Sequence, residues 1–111
     1  MPFEFGDVVL VRFPFTSQSA SKQRPAVVVS NSAYNRTRPD LVIMAITSRL
    51  RSPSGFGELQ VSDWQAANLL KPSAIKPVFA TIEQTLVLKS LGALRDADLS
   101  ALRQAIAGLL G

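Results

Sequence analysis

The sequence predicts an α+β fold that is mainly β: a small, strongly curved, barrel-like sheet with a C-terminal helix. Three observations carry this. Short, β-branched apolar runs recur through the first half, separated by turn-rich loops. Proline borders or interrupts several of them, as suits sheet edges and bends. The last fifteen residues change to a helical period. At 111 residues the chain is expected to form one domain, residues 1–111, burying roughly two thirds of the surface its unfolded form exposes.

Val8-Val9-Leu10-Val11 reads as a buried strand entered through Gly6-Asp7, and Pro14 marks its exit because proline cannot donate to a ladder. Residues 16–23 form a polar loop. Residues 25–30 are the second strand, with Arg24 at its mouth. Residues 31–39, which contain Tyr34, read as a loop. Residues 41–46 are the third and most apolar strand, ending in Thr47-Ser48. A Pro- and Gly-containing loop over 49–57 precedes an alternating strand at 58–61. Ser62 opens a short helical turn through Gln65. Residues 73–76 and 78–82 look like strand interrupted by Pro77, and 88–94 like another short strand. Leu99, Leu102, Ile106, Leu109 and Leu110 fall on one helical face, with Asp96 or Asp98 as the cap.

Composition excludes whole classes of chemistry. Without cysteine there are no disulfides, thiolate zinc sites or cysteine nucleophiles. Without histidine the commonest general base and metal ligand is missing. The carboxylates are dispersed, and no Gly-rich phosphate loop occurs, so no metal or other cofactor is expected. The first residues lack a basic stretch followed by an apolar one, and no apolar run approaches the ~20 residues that span a bilayer. A cytoplasmic protein without membrane contact is expected.

The net charge of +4 is unevenly spread. Residues 12–51 carry seven cations against Asp40 alone, whereas residues 52–111 hold five charges of each sign. A basic N-terminal half suits a polyanion, or simply a solvated face. If the second and third strands pair, the Arg24 guanidinium and the Thr47 and Ser48 hydroxyls converge between two basic loops. Such a set fits a phosphodiester, since arginine offers a permanently charged fork to phosphate oxygens. The plainer reading is that Arg24 pairs with a carboxylate and Thr47 merely ends a strand.

Four blocks at these residues resemble the MazF/PemK family of toxin endoribonucleases: Gly6-Asp7-Val8-Val9-Leu10-Val11, Gln23-Arg24-Pro25-Ala26-Val27-Val28-Val29-Ser30-Asn31, Tyr34-Asn35 and Ala45-Ile46-Thr47-Ser48. The resemblance continues through Thr81-Ile82-Glu83 and Leu91-Gly92. It implies a small barrel of SH3-like, CcdB/MazF type and a homodimer. It also implies metal-independent cleavage of single-stranded RNA, and neutralisation by an acidic antitoxin. Arg24 and Thr47 then correspond to the catalytic pair. The associated reaction is attack of a ribose 2′-OH on the adjacent phosphate, giving a cyclic phosphate and a 5′-OH. Ser19, Ser21, Lys22, Ser48 and Arg49 are candidates for binding the RNA backbone. Lys22, Arg49 and Arg51 are expected to meet the antitoxin, and Phe13, Phe15 and Phe56 are candidates for stacking on bases.

Two departures bear on mechanism. The first loop, Ser17-Gln18-Ser19-Ala20-Ser21, lacks the acid many members carry. Lys76-Pro77 stands where some members have an aspartate. No general base is therefore assigned. Two other readings are a same-fold toxin that binds a topoisomerase, as CcdB does, and an RNA-binding module without activity. The final residues lack the Trp-Gly signature of the former, and Arg24 with Thr47 speak against the latter.

Overall fold

The computed structural model describes residues 3–13, 22–50 and 55–111. The elements are β1 (Asp7–Phe13), β2 (Lys22–Val28), α1 (Ser32–Thr37), β3 (Asp40–Thr47), β4 (Leu59–Gln60), β5 (Ala74–Glu83), a 3₁₀ turn (Gln84–Leu86), β6 (Lys89–Ala93) and α2 (Asp96–Leu110). The strands form one antiparallel sheet in the order β4-β5-β3-β2-β1-β6. It curls into a half-barrel. Bulges supply the bend: one where β1 meets β6 between Val8 and Val9, the other where β3 meets β5 between Met44 and Ile46.

Continuous apolar runs are explained by burial on both faces. Val8, Val27, Met44, Ile46 and Ile75 pack with Leu102 of α2, joined by Leu94 and the 61–69 segment. Val9, Val11, Ala26, Val28, Leu41 and Ile43 pack on the other face, with Phe3, Ile82 and Val87 against them. Leu102 is fully buried, and Leu99, Ile106 and Leu109 flank it, as in the helical stripe read from the sequence; Leu110, counted in that stripe, is instead 69% exposed at the helix end.

Three local expectations are corrected. Residues 32–37 form a helix, because the Asn31 side chain accepts the Tyr34 N–H at 2.9 Å and caps it. Pro77 does not divide β5; it lies within the irregular stretch facing β3, where a missing donor costs no ladder bond. Neither Asp96 nor Asp98 side chain caps α2, whose N-cap is Arg95 with no side-chain bond. Asp98, 2% exposed, instead accepts the Ser62 and Asp63 N–H groups, both at 2.9 Å, and ties the 62–71 segment to the helix.

Candidate active site

The β2–β3 pair has a closed end and an open end. Its ladder runs from Val28↔Ile43 to Ala26↔Ala45 and stops there. The next β2 residue, Pro25, has no N–H to extend it. Two residues beyond the last rung, Arg24 and Thr47 stand at matching positions on strands no longer bonded to each other. Each is held from its other side: Arg24 pairs in register with Val11 of β1, and Thr47 with Ala74 of β5. The Arg-Pro dipeptide thus ends one ladder while keeping Arg24 on a rigid strand.

A cleft of about 590 Å³ lies at this open end. Gln23, Arg24 and Pro25 of β2 line it with Ile46 and Thr47 of β3 and Ser48 just after the strand. Its other wall comes from residues the sequence reading did not single out: Asn68, Leu70 and Lys71 from the segment before β5, and Lys89 and Ser90 from β6. No carboxylate lines it among the described residues. Arg24 is exposed and makes no ion pair within the described residues, where Arg38–Asp40 at 3.1 Å is the one salt bridge. The Thr47 hydroxyl accepts the Arg49 N–H at 3.1 Å, which fixes its rotamer at the strand end.

The other candidates fall differently. Lys22 and Arg49 are exposed but do not line the cleft. Ser19, Ser21, Phe15 and Arg51 lie outside the described residues, as does the side chain of Phe13. Phe56 is exposed and away from the cleft lining. Arg36 and Arg38 sit on and just after α1, at the opposite end of the β2–β3 pair. From Val28 to Arg24 that is at least ~13 Å along the strand. The charge run over 12–51 therefore divides between two ends, and the cleft takes Lys71 and Lys89 from the electrically balanced half. Nothing in one-dimensional charge counting signals that exchange; it depends on β6 lying beside β1 and on the path into β5.

The blocks Ser30-Asn31 and Tyr34-Asn35 have a structural use. Buried Asn35 accepts the Ser30 hydroxyl at 2.5 Å and donates to the Phe3 and Ser30 carbonyls at 2.8 and 3.1 Å. Its own carbonyl accepts Gln84 Nε2 at 2.7 Å, while the Ser30 hydroxyl accepts the Val42 N–H at 3.1 Å. This network locks α1 to the sheet and to the 3₁₀ turn.

No group of three or more His, Cys, Asp or Glu side chains suited to a metal occurs among the described residues, and no helix there is long and apolar enough to cross a membrane.

A curled antiparallel half-barrel with one terminal helix, and a basic cleft at the open end of its central strand pair, make this a small curved-barrel protein with a polyanion-compatible site. Residues 4–110 match the family model of the PemK-like, MazF-like toxins of type II toxin–antitoxin systems, and the chain belongs to that family. MazF in a MazE–MazF crystal structure from Deinococcus radiodurans is 21% identical, with a TM-score of 0.75 over 100% of this chain and 98% of that one. An endoribonuclease in complex with its cognate antitoxin, from a mycobacterial species, is 20% identical with a TM-score of 0.75, covering 99% and 94%. The Mycobacterium tuberculosis toxin MazF-mt6 is 18% identical with a TM-score of 0.74, covering 92% and 93%. No curated protein sequence matches the chain.

Proposed function

We propose that this toxin is an endoribonuclease that cleaves single-stranded RNA in the cleft, with Arg24 and Thr47 as its catalytic residues. The observation that carries the reading is their meeting at matching positions beyond the last β2–β3 rung, in a cleft with cations and no acid. The ribose 2′-OH attacks the adjacent phosphorus, the P–O5′ bond breaks, and the products are a 2′,3′-cyclic phosphate and a 5′-OH. Charge builds on the non-bridging oxygens as the 2′-oxygen bonds. A guanidinium carried on a strand-held backbone is placed to meet that charge, and removing one such donor typically costs ~3–4 kcal/mol of transition-state stabilisation. Thr47 holds the phosphate in line with the attacking hydroxyl. Ser48, beside it in the cleft, donates to the backbone, and specificity comes from unpaired bases splayed against the walls. Ser19, Ser21, Lys22 and Arg49 belong to this reading as backbone contacts outside the described cleft lining.

The same reading makes the protein a homodimer in the cytoplasm, inhibited by an acidic antitoxin that competes with RNA for the basic surface. The antitoxin complexes of the structural relatives support that partner class. The test is incubation of purified protein with mixed-sequence RNA in EDTA. Cleavage with 5′-OH ends on the downstream fragments is expected; 5′-phosphate ends would rule out the 2′-OH route, and intact RNA would remove the nuclease reading.

A further inference from the structure

The wall opposite Arg24 and Thr47 is unusually well held for a turn-rich segment. Asp98 anchors its start through two backbone bonds, and Leu69 is buried with its N–H on the Trp64 carbonyl at 3.0 Å. Asn68, at φ 67°, donates its side chain to the Leu91 carbonyl of β6 at 2.7 Å. Beside it, Gly92 lets the Ala67 carbonyl approach so closely that a Cβ would stand 2.8 Å from that oxygen. Yet the next residue, Leu70, is 92% exposed at the cleft wall. A leucine projecting from a segment pinned at four points is presented rather than frayed. Lys71 follows it, Lys89 approaches from β6, and neither has an ion-pair partner among the described residues.

We propose that this wall seats the nucleotide flanking the scissile phosphate: Lys71 and Lys89 take its phosphate, and Leu70 packs against its base. The assignment rests on the ribonuclease reading of the same cleft and adds a second phosphate position and a base contact to it. Ammonium groups on flexible stems suit a bound but unreacting phosphate, as the rigid guanidinium suits the reacting one. An apolar side chain against a base edge or face discriminates by shape.

The test measures binding of a 2′-O-methyl oligoribonucleotide, which lacks the attacking hydroxyl, against salt concentration. On single strands log K falls with log salt by about 0.7 per phosphate neutralised. Lys71→Gln and Lys89→Gln keep most of the stem and remove the charge. Because the two lysines share one phosphate, the double variant should make the slope shallower by about 0.7, and each single variant by a part of that. Arg36→Gln, on distant α1, should run parallel to the wild type. Leu70→Ser should change the ratio of cleavage rates between RNAs that differ only in the base beside the cut, whereas the lysine variants lower all of them alike. If the wild type binds and cleaves RNA but the double variant keeps the wild-type slope, the inference falls and the nuclease reading stands. An equal loss of slope in Arg36→Gln also overturns it, because the charge would then act without a site. A wild type that neither binds nor cleaves RNA overturns both.

Discussion

At the α1 end of the β2–β3 pair, Ser30 and Asn35 are buried and their polar groups are met inside the chain. At the other end Arg24, Lys71 and Lys89 line an open cleft without a carboxylate among the described residues. Both ends carry residues of the blocks through which the sequence resembles its family. Their chemistry separates them: a saturated, buried network serves the fold, whereas cations on rigid backbone without internal partners are available to a ligand. Substitutions at the two ends should therefore divide cleanly between stability and activity.

The largest effect is expected on catalysis. Arg24→Ala should lower RNA cleavage by about 10²–10³-fold, the loss of one fixed donor to transition-state charge. Its melting curve should move by no more than about 0.5 kcal/mol, since the side chain is exposed and forms no ion pair among the described residues. Arg24→Lys should recover little, because an ammonium lacks the planar fork. Wild-type cleavage by folded Arg24→Ala would break the contrast at its functional end.

Asn35→Ala tests the other end. It strands the Ser30 hydroxyl and the Phe3 and Ser30 carbonyls, and should cost about 3 kcal/mol in denaturant unfolding. Activity of the fraction that remains folded should stay near wild type, measured below the unfolding transition. A stable Asn35→Ala protein that no longer cleaves RNA would place this network in the chemistry and erase the distinction.

Asp98→Asn lies between the two cases, because Asp98 supports the cleft from behind. The amide keeps one acceptor and loses charge-assisted bonds to the Ser62 and Asp63 N–H groups, a loss of about 1–2 kcal/mol. Hydrogen exchange should rise across 62–71 more than in β2 and β3. Uniform loosening of the whole sheet would instead mean that the segment is part of the common core.

Much of this arrangement could be read from the residues. Continuous Val and Ile runs located β1, β2 and β3 because their buried faces leave little alternative, and the α2 stripe was visible because one face packs and the other meets water. Helix α1 was missed: six residues contain no full apolar period, and its one local sign is the Asn31 cap. Asp98 was misassigned because a carboxylate at a helix start looks like a cap until a distant segment presents two N–H groups to it. Arg24 and Thr47 could be paired in advance, since strand neighbours follow from order. Lys71 and Lys89 could not, because their approach depends on a bulged strand and on β6 closing beside β1.

The smallest expected effect is the acid dependence of two aspartates, Asp7 at the start of β1 and Asp40 beside α1. Partial burial raises the Asp7 carboxyl above its ordinary range, against the Glu4 N–H it accepts at 2.9 Å, with nearby Glu4 adding to the rise. The hydrogen bond from Arg38 Nε at 3.1 Å lowers Asp40, aided by the guanidinium charge. The signs are opposite. Asp7 is held as an anion at some cost, so its contribution to stability grows as pH falls through its raised folded value and levels off below the unfolded value of about 3.9. The contribution of Asp40 is complete above that unfolded value and is lost as pH falls through its depressed folded one. Asp7→Asn should therefore steepen the upper part of the acid arm of the stability curve, by removing a gain that opposes it, whereas Asp40→Asn should flatten the lower part. Asp40 pairs with a well-exposed arginine, so its effect should also shrink as salt rises. Urea unfolding of both variants across the acid range, at low and high salt, checks the order. An acid arm that Asp7→Asn leaves unaltered would show that the half-buried carboxylate does not set the acid dependence at the start of β1.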